Sequence, residues 1–253
     1  MKIILSGASG KMGRAITAMV KESPTLTIVA GIDRTAHDEI PFPLYPSLNE
    51  VKETADIIID FSHFSNVPQL LVDAQGKNLP IVVATTGLPS ETIALLRQTA
   101  TQIPVFFSAN MSLGINVLIQ ALQAITPSLE ADFDIEIIEK HHNQKKDAPS
   151  GTALLLADSI NEACHTPKEY IFGRSGNENQ NDRGQMGIHA VRGGTIPGEH
   201  TILFAGQDEL IELKHTALSR TIFANGALKA AQFLVAQPNG LYSMKELLTT
   251  INE

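Results

Sequence analysis

The stretch that most constrains the fold lies at the N-terminus. Residues 2–6 (KIILS) form a short apolar run, GASGKMG follows from Gly7 to Gly13, and residues 14–21 carry apolar side chains at helical spacing. A second apolar run, 26–32, ends at Asp33-Arg34, with 20 residues from Gly13 to Asp33. Strand, glycine turn, helix, strand and acid in this order are the layout of a dinucleotide-binding βαβ unit. There Gly7 permits the tight turn, Gly10 lets backbone approach a pyrophosphate, and Gly13 lets the helix pack closely on the strand. Asp33 would accept hydrogen bonds from an adenosine ribose. Arg34 beside it could stack on adenine or pair with a 2′-phosphate, so NADH and NADPH both stay open. The spacing is G-x-x-G-x-x-G rather than G-x-G-x-x-G, and on spacing alone an ordinary strand–helix turn also fits. The strand before, the helix after and the acid at the right distance favour the nucleotide.

Residues 34–49 read as a loop with three prolines and His37, a solvated histidine. Alternation then resumes, with strands at 55–61, 80–86 and 104–108 and helices at 66–75 and 90–100. Strands alternating with helices predict a doubly wound, Rossmann-type parallel sheet. Its ligands would lie beyond the strands' carboxyl ends. That lines up Asp60-Phe61-Ser62, Thr85-Thr86-Gly87 and Ala109-Asn110-Met111 along one crevice, where Thr85, Thr86 and Asn110 can hydrogen-bond a ribose or carboxamide. Each also fits an ordinary strand-end turn.

After Asn110 the texture changes. Residues 112–126 read as one long helix, 133–139 as a strand, 151–163 as a helix and 167–172 as short and extended. Residues 173–187 (GRSGNENQNDRGQMG) read as a mobile surface loop. Three runs follow without helices between them, 188–192, 200–205 and 210–214, and predict a second α+β domain with a mixed sheet. The segment 219–237 is helical again. The expected domains are 1–109, with helices from about 220 to 253 packing back on it, and 110–219.

Between the strand at 133–139 and the helix at 151–163 lies EKHHNQKKDAPSGT. It places two histidines, two lysines and an aspartate within the seven residues from His141 to Asp147. Pro149 discourages helix before it, and Ser150 or Thr152 can cap the helix after it. A helix N-terminus beside ammonium groups favours an acidic small molecule. An imidazole and a lysine ammonium suit proton donation and carboxylate binding during reduction of an imine or enone. The competing reading is a solvated basic loop, opposed by the strand-end position. A shared metal does not fit, because adjacent His141 and His142 face opposite sides of a strand. Nor does a hydrolase triad, for no G-x-S-x-G occurs. His189, His200 and His215 read as structural or interfacial, while His63 and His165 have no evident context.

The formal charge of −8 argues against nucleic-acid or anionic-membrane partners and makes this basic cluster stand out. One cysteine, Cys164, cannot form an intrachain disulfide and fits a small core residue. The apolar N-terminal run is too short for a signal peptide, and the longest apolar stretch, 113–125, is broken by polar residues. The expected location is cytoplasmic.

The chain resembles the dihydrodipicolinate reductase family of bacterial diaminopimelate–lysine biosynthesis. It does so through GASGKMGR, DFS, ATTG, FSANMSLGINVL, EKHHNQKKDAPSGTA, GEHTILFA and SRTIFANGA, in family order. The resemblance implies an NADH- or NADPH-dependent reduction of 4-hydroxy-tetrahydrodipicolinate with loss of water, a small dicarboxylate substrate and a homotetramer. It places cofactor contacts at Gly7, Ala8, Ser9, Gly10, Lys11, Met12, Asp33, Arg34, Ala84, Thr85, Thr86, Ser108, Ala109, Asn110 and Met111. The catalytic pair falls on His141 and Lys145, and substrate contacts fall on His142, Lys145, Ser150, Gly151 and Thr152. Cofactor and substrate on different domains imply closure during turnover. Three positions depart from the family: Ala84, often Gly, whose methyl would crowd the cofactor; Asn143, often Arg; and Asp33, often the longer Glu. Another nicotinamide reductase and a non-catalytic dinucleotide sensor are the alternatives.

Overall fold

The structure is a computed structural model that describes residues 1–34, 40–177 and 183–251. His37 and residues 178–182 of the glycine–asparagine loop lie outside the described residues. In chain order the elements begin β1 (Lys2–Ser6), α1 (Lys11–Lys21), β2 (Thr27–Ile32), β3 (Leu44–Tyr45) and β4 (Ile57–Asp60). Next come α2 (Val67–Gly76), β5 (Ile81–Val83), α3 (Ser90–Thr99), β6 (Pro104–Phe107) and α4 (Leu113–Leu129). Then follow β7 (Asp134–His141), α5 (Gly151–Ala163), β8 (Glu169–Phe172), β9 (Gln185–Arg192), β10 (Glu199–Gly206) and β11 (Glu209–Thr216). The chain closes with α6 (Thr221–Leu234), β12 (Gly240–Tyr242) and α7 (Met244–Ile251). These pack as two compact units, one of Met1–Leu113 with the segment from Arg220 onward, the other of Gly114–Ser219.

The first unit is a parallel sheet ordered β12-β6-β5-β4-β1-β2-β3. Its strands are apolar except at their ends because both faces are covered. Ile3, Leu5, Ile57, Ile59, Val82 and Phe106 pack against α1, α6 and α7, whereas Ile4, Ile58, Ile81, Val83 and Val105 pack against α2 and α3. The sheet is thus doubly wound, and the strand order reverses between β1 and β4. α6 reaches the sheet through Ala224, Ala227, Ala230 and Ala231, all fully buried. A Cβ at Gly226 would collide with the Met111 carbonyl, so that glycine lets α6 seat the loop after β6.

Two strands were missed. β3 lies inside the segment read as a loop, and β12 extends the sheet beside β6. Their lengths of two and three residues leave no periodicity to read.

The second unit is a mixed sheet ordered β11-β10-β7-β9-β8. β7 runs parallel to β9 and antiparallel to β10. α4 and α5 cover one face, where Leu118, Leu122, Leu156 and Ile160 meet Ile135, Ile137, Ile188, Ile202 and Phe204. Phe172, Val191 and Leu210 stay exposed. Two boundaries shift from expectation. α4 continues past Thr126 through Pro127; Pro127 and Gln123, whose carbonyl loses its partner, are both exposed, so water can satisfy it. β9 begins at Gln185, so 185–187 are strand rather than loop. Met186 is fully buried there, and Gly187 leaves room for the Glu136 carboxylate, which binds Arg174 at 2.5 Å and His189 at 2.6 Å.

Candidate active site

In the first unit the turn after β1 is shaped by its glycines. Gly7 has φ +75°, and a Cβ there would stand 2.6 Å from the Phe61 carbonyl oxygen. Gly13 is buried, and its Cβ would collide with the Gly7 and Ala8 carbonyls. Gly10 differs: it is exposed, and a Cβ there would meet only the Gly7 carbonyl oxygen, at 3.2 Å. Its crowding would come from a ligand, as backbone approach to a pyrophosphate requires. The first i→i−4 bond of α1 runs from the Arg14 N–H to the Gly10 carbonyl at 3.0 Å. The Lys11 and Met12 amides precede it, and no acid sits in that turn, which suits an anion. Asp33 is anchored across the turn, accepting from the Ser9 N–H at 2.9 Å and the Arg34 N–H at 2.8 Å. A cleft of about 760 Å³ at the switch point is lined by Gly7, Gly10, Asp33, Arg34, Phe61, Ser62 and His63, among others. These features fit a dinucleotide.

The next strand ends behave differently. Asp60 is fully buried, accepts from the Thr85 hydroxyl at 2.7 Å and the Ser62 N–H at 3.1 Å, and has its pKa pushed up by burial. Asn110 Oδ1 accepts the Ser112 N–H at 2.9 Å, and the Ser108 hydroxyl donates to the Asn110 carbonyl at 2.8 Å. The side chains of Thr85 and Asn110, expected to meet ribose or carboxamide, therefore brace the crevice wall. Thr86 and Ala109 are exposed, and Met111 is buried. The Ala84 methyl joins the sheet core.

In the second unit β7 delivers the histidine pair. Alternation sends Ile135, Ile137, Glu139 and His141 to the covered face, and His142 follows half-buried in the turn. Glu139, fully buried, meets four donors. Its Oε1 accepts from Arg192 at 2.7 Å and from the Ser150 N–H at 2.9 Å; its Oε2 accepts from Arg192 at 2.7 Å and from His141 Nδ1 at 2.6 Å. Burial alone would raise its pKa, but bonds from Arg192, His141 and Ser150 outweigh it and hold the group below the ordinary carboxylate range. A Cβ at Gly198 would stand 3.1 Å from His141 Nε2, so that glycine keeps clear the ring edge opposite Glu139.

Ser150 is the N-cap of α5. Its Oγ accepts the Ala153 N–H at 3.1 Å, which leaves its hydrogen for His200 Nε2 at 3.0 Å. Burial, followed by the His141 charge, lowers the His200 pKa to about 4, with Lys145 contributing. The two imidazoles meet edge to face at 5.2 Å. Lys145, largely buried, pairs with Asp147 at 2.9 Å. Gly151 is exposed and Thr152 half-buried in the first turn of α5, which carries no acid. Asn143 is exposed, its N–H donating to the Gly194 carbonyl at 3.2 Å.

The structure thus gathers His141, His142, Lys145, Ser150, Gly151 and Thr152 at one strand–helix junction, and Gly7 to Met12 with Asp33 and Arg34 at another. Sequence reasoning missed Glu139 and Arg192 as members of the first. It also read His200 as structural or interfacial, yet His200 joins the cluster through Ser150. The signal lay in the register, which sets His200 opposite Glu139 and Arg192 opposite His141. His63, on the cleft wall, was missed as well. Among the described residues no group of His, Cys, Asp or Glu could hold a metal ion.

Family models for the N-terminal and C-terminal parts of dihydrodipicolinate reductase match residues 1–111 and 114–248. The chain is 49% identical to the 4-hydroxy-tetrahydrodipicolinate reductase of Caldanaerobacter subterraneus subsp. tengcongensis, over 98% of both chains. It is 47% identical to that of Clostridium tetani, covering 99% of this chain and 98% of the relative. In fold it is similar to the dipicolinate-bound dihydrodipicolinate reductase of Paenisporosarcina sp. TG-14, with a TM-score of 0.79 and 23% identity over 96% and 97% of the two chains. With its glycine turn, its histidine pair and both family models in register from end to end, this chain belongs to the dihydrodipicolinate reductase family.

Proposed function

We propose that this chain reduces 4-hydroxy-tetrahydrodipicolinate to tetrahydrodipicolinate, with loss of water, using NADH or NADPH, in diaminopimelate and lysine biosynthesis. The observation that carries this reading is His141, held through Nδ1 by a buried carboxylate beside the N-terminus of α5. Relatives at up to 49% identity bear the same activity's name.

Gly7 to Met12 would hold the pyrophosphate, Asp33 and Arg34 the adenosine ribose, and the segments 84–86 and 108–111 the rest of the cofactor. When bound, the reduced nicotinamide supplies a hydride to C4 of the cyclic unsaturated imine that the substrate becomes on losing water. His141 supplies the balancing proton from Nε2, assisted by Lys145. His142, Lys145 and the Gly151-Thr152 turn hold the substrate carboxylates, for which a helix N-terminus and an ammonium are suited. Ser150, its N–H given to Glu139 and its hydroxyl to His200, caps that turn rather than binding substrate. The test is loss of reduced-nicotinamide absorbance with substrate generated in situ by the preceding synthase, run in parallel with both cofactors. No consumption of either cofactor overturns the reading.

Assembly as a homotetramer is what membership of the family supports. Light scattering at four times 27.3 kDa is the expected result. A cytoplasmic location fits a lone Cys164 whose thiol burial pushes up to about 11, keeping it protonated. Among the described residues no helix is long and apolar enough to cross a membrane.

A further inference from the structure

We propose that Glu139 is the positioning residue of this site: it fixes which nitrogen of His141 bears the transferable proton, and it ties that imidazole to the anion-binding end of α5. The inference deepens the reductase reading above and rests on it. Glu139 is fully buried and acts through the groups it holds, His141 and Ser150.

The carboxylate is fully buried, and all four of its contacts are donors. An ionised carboxylate accepts only, so His141 Nδ1 carries a hydrogen whatever the state of the ring. The exchangeable proton then sits on Nε2, the edge that Gly198 leaves clear. With its other oxygen Glu139 takes the backbone N–H of Ser150, the residue that caps α5. One rigid group therefore sets the distance between the proton donor and the helix end where a substrate carboxylate would lie. Arg192 makes the arrangement tenable: its two nitrogens grip both carboxylate oxygens at 2.7 Å, and one also donates to the Asp147 carbonyl at 2.6 Å. Without that counter-charge, a buried carboxylate beside an imidazole would hold the proton rather than release it.

Three groups stand around His141: Glu139 on β7, His200 on β10 and, opposite it in register on β9, Arg192. Of these only Glu139 contacts Nδ1 directly. In Glu139→Gln the side chain can turn its amide N–H toward Nδ1 as readily as its oxygen, so the hydrogen is no longer confined to Nδ1 and the proton-delivering step should slow.

Two measurements on the full chain test this. The first is the nitrogen-15 spectrum of histidine-labelled wild-type protein at alkaline pH, with His141 assigned by its loss in His141→Gln. Neutral His141 should carry its hydrogen on Nδ1, and a hydrogen on Nε2 overturns the proposal whatever any variant does. The second is the kinetics and the same spectrum of Glu139→Gln. Expected are a kcat about tenfold or more below wild type, a neutral His141 whose hydrogen is now partly on Nε2, and an unchanged cofactor Kd. Wild-type kcat, or a lowered kcat with the hydrogen still wholly on Nδ1, overturns the proposal, since a purely structural role would leave the tautomer in place. If Glu139→Gln does not fold, the wild-type spectrum decides. A wild-type chain that oxidises neither cofactor refutes the reductase reading and still leaves the spectrum to judge Glu139.

Discussion

Lys145 holds Asp147 at 2.9 Å, but the Asp147 side chain is 59% exposed, so the pair is cheap to give up for a substrate carboxylate. A charge-assisted bond to that carboxylate is worth about 1.5–3 kcal/mol. Lys145→Ala should therefore raise KM roughly tenfold or more and also lower kcat; wild-type steady-state kinetics would remove Lys145 from the site. His141→Gln should depress kcat by about 10²–10⁴-fold, the usual worth of a general acid. Cofactor affinity, read by fluorescence titration, should be preserved. That the two lie together at one strand end was legible, because the string HHNQK follows directly on the apolar alternation of β7. Glu139 stood in the same string unrecognised, because its role depends on what the neighbouring strands bring. Arg192 is 53 residues away from it and His200 50 from Ser150. Strand register decides which of the chain's many charges they meet, and register is a tertiary fact.

At the scale of elements, α6 shows how a helix far along the chain supports a loop of the first unit. Its face of Ala224, Ala227, Ala230 and Ala231 is small enough for close approach, and at Gly226 the Met111 carbonyl occupies the place of a side chain. Gly226→Ala must push that loop away. Overpacking of this kind costs about 1–3 kcal/mol, so the melting temperature should fall. Cofactor affinity should weaken too if 108–111 contact the cofactor, whereas an unchanged Kd with a lowered Tm would confine Gly226 to stability. The α6 period was readable from its apolar spacing, as were β1, α1 and α5, each long or sharply bounded. β3 and β12 were not, being too short to carry a pattern, and β9 hid its first residues behind Gly184 and Gly187. Pro127 reads as a helix stop, yet the exposed face of α4 tolerates it.

For the whole molecule, two buried titratable groups give the units opposite responses to acid. His200, in the second unit, is lowered from 6.5 to about 4 by burial and then by the His141 charge. Below pH 6.5 the unfolded chain takes up a proton that the folded one refuses. The stability His200 contributes is thus complete above 6.5 and is lost as pH falls toward 4, about 3 kcal/mol in all. Glu139, held low in the same unit, adds a loss of the same sign at still lower pH. Asp60, in the first unit, is raised by burial, so its folded form binds the proton more tightly and gains stability as pH falls. Acid should accordingly loosen the sheet of the second unit before that of the first. Amide exchange, corrected for its intrinsic pH dependence, should lose protection in β7 and β10 between pH 6.5 and about 4, while β4 and β5 keep theirs. His200→Asn should flatten the response of β10, because an amide does not titrate there. Equal loss of protection in both sheets, or an undiminished slope in His200→Asn, would mean that some other group governs the acid response.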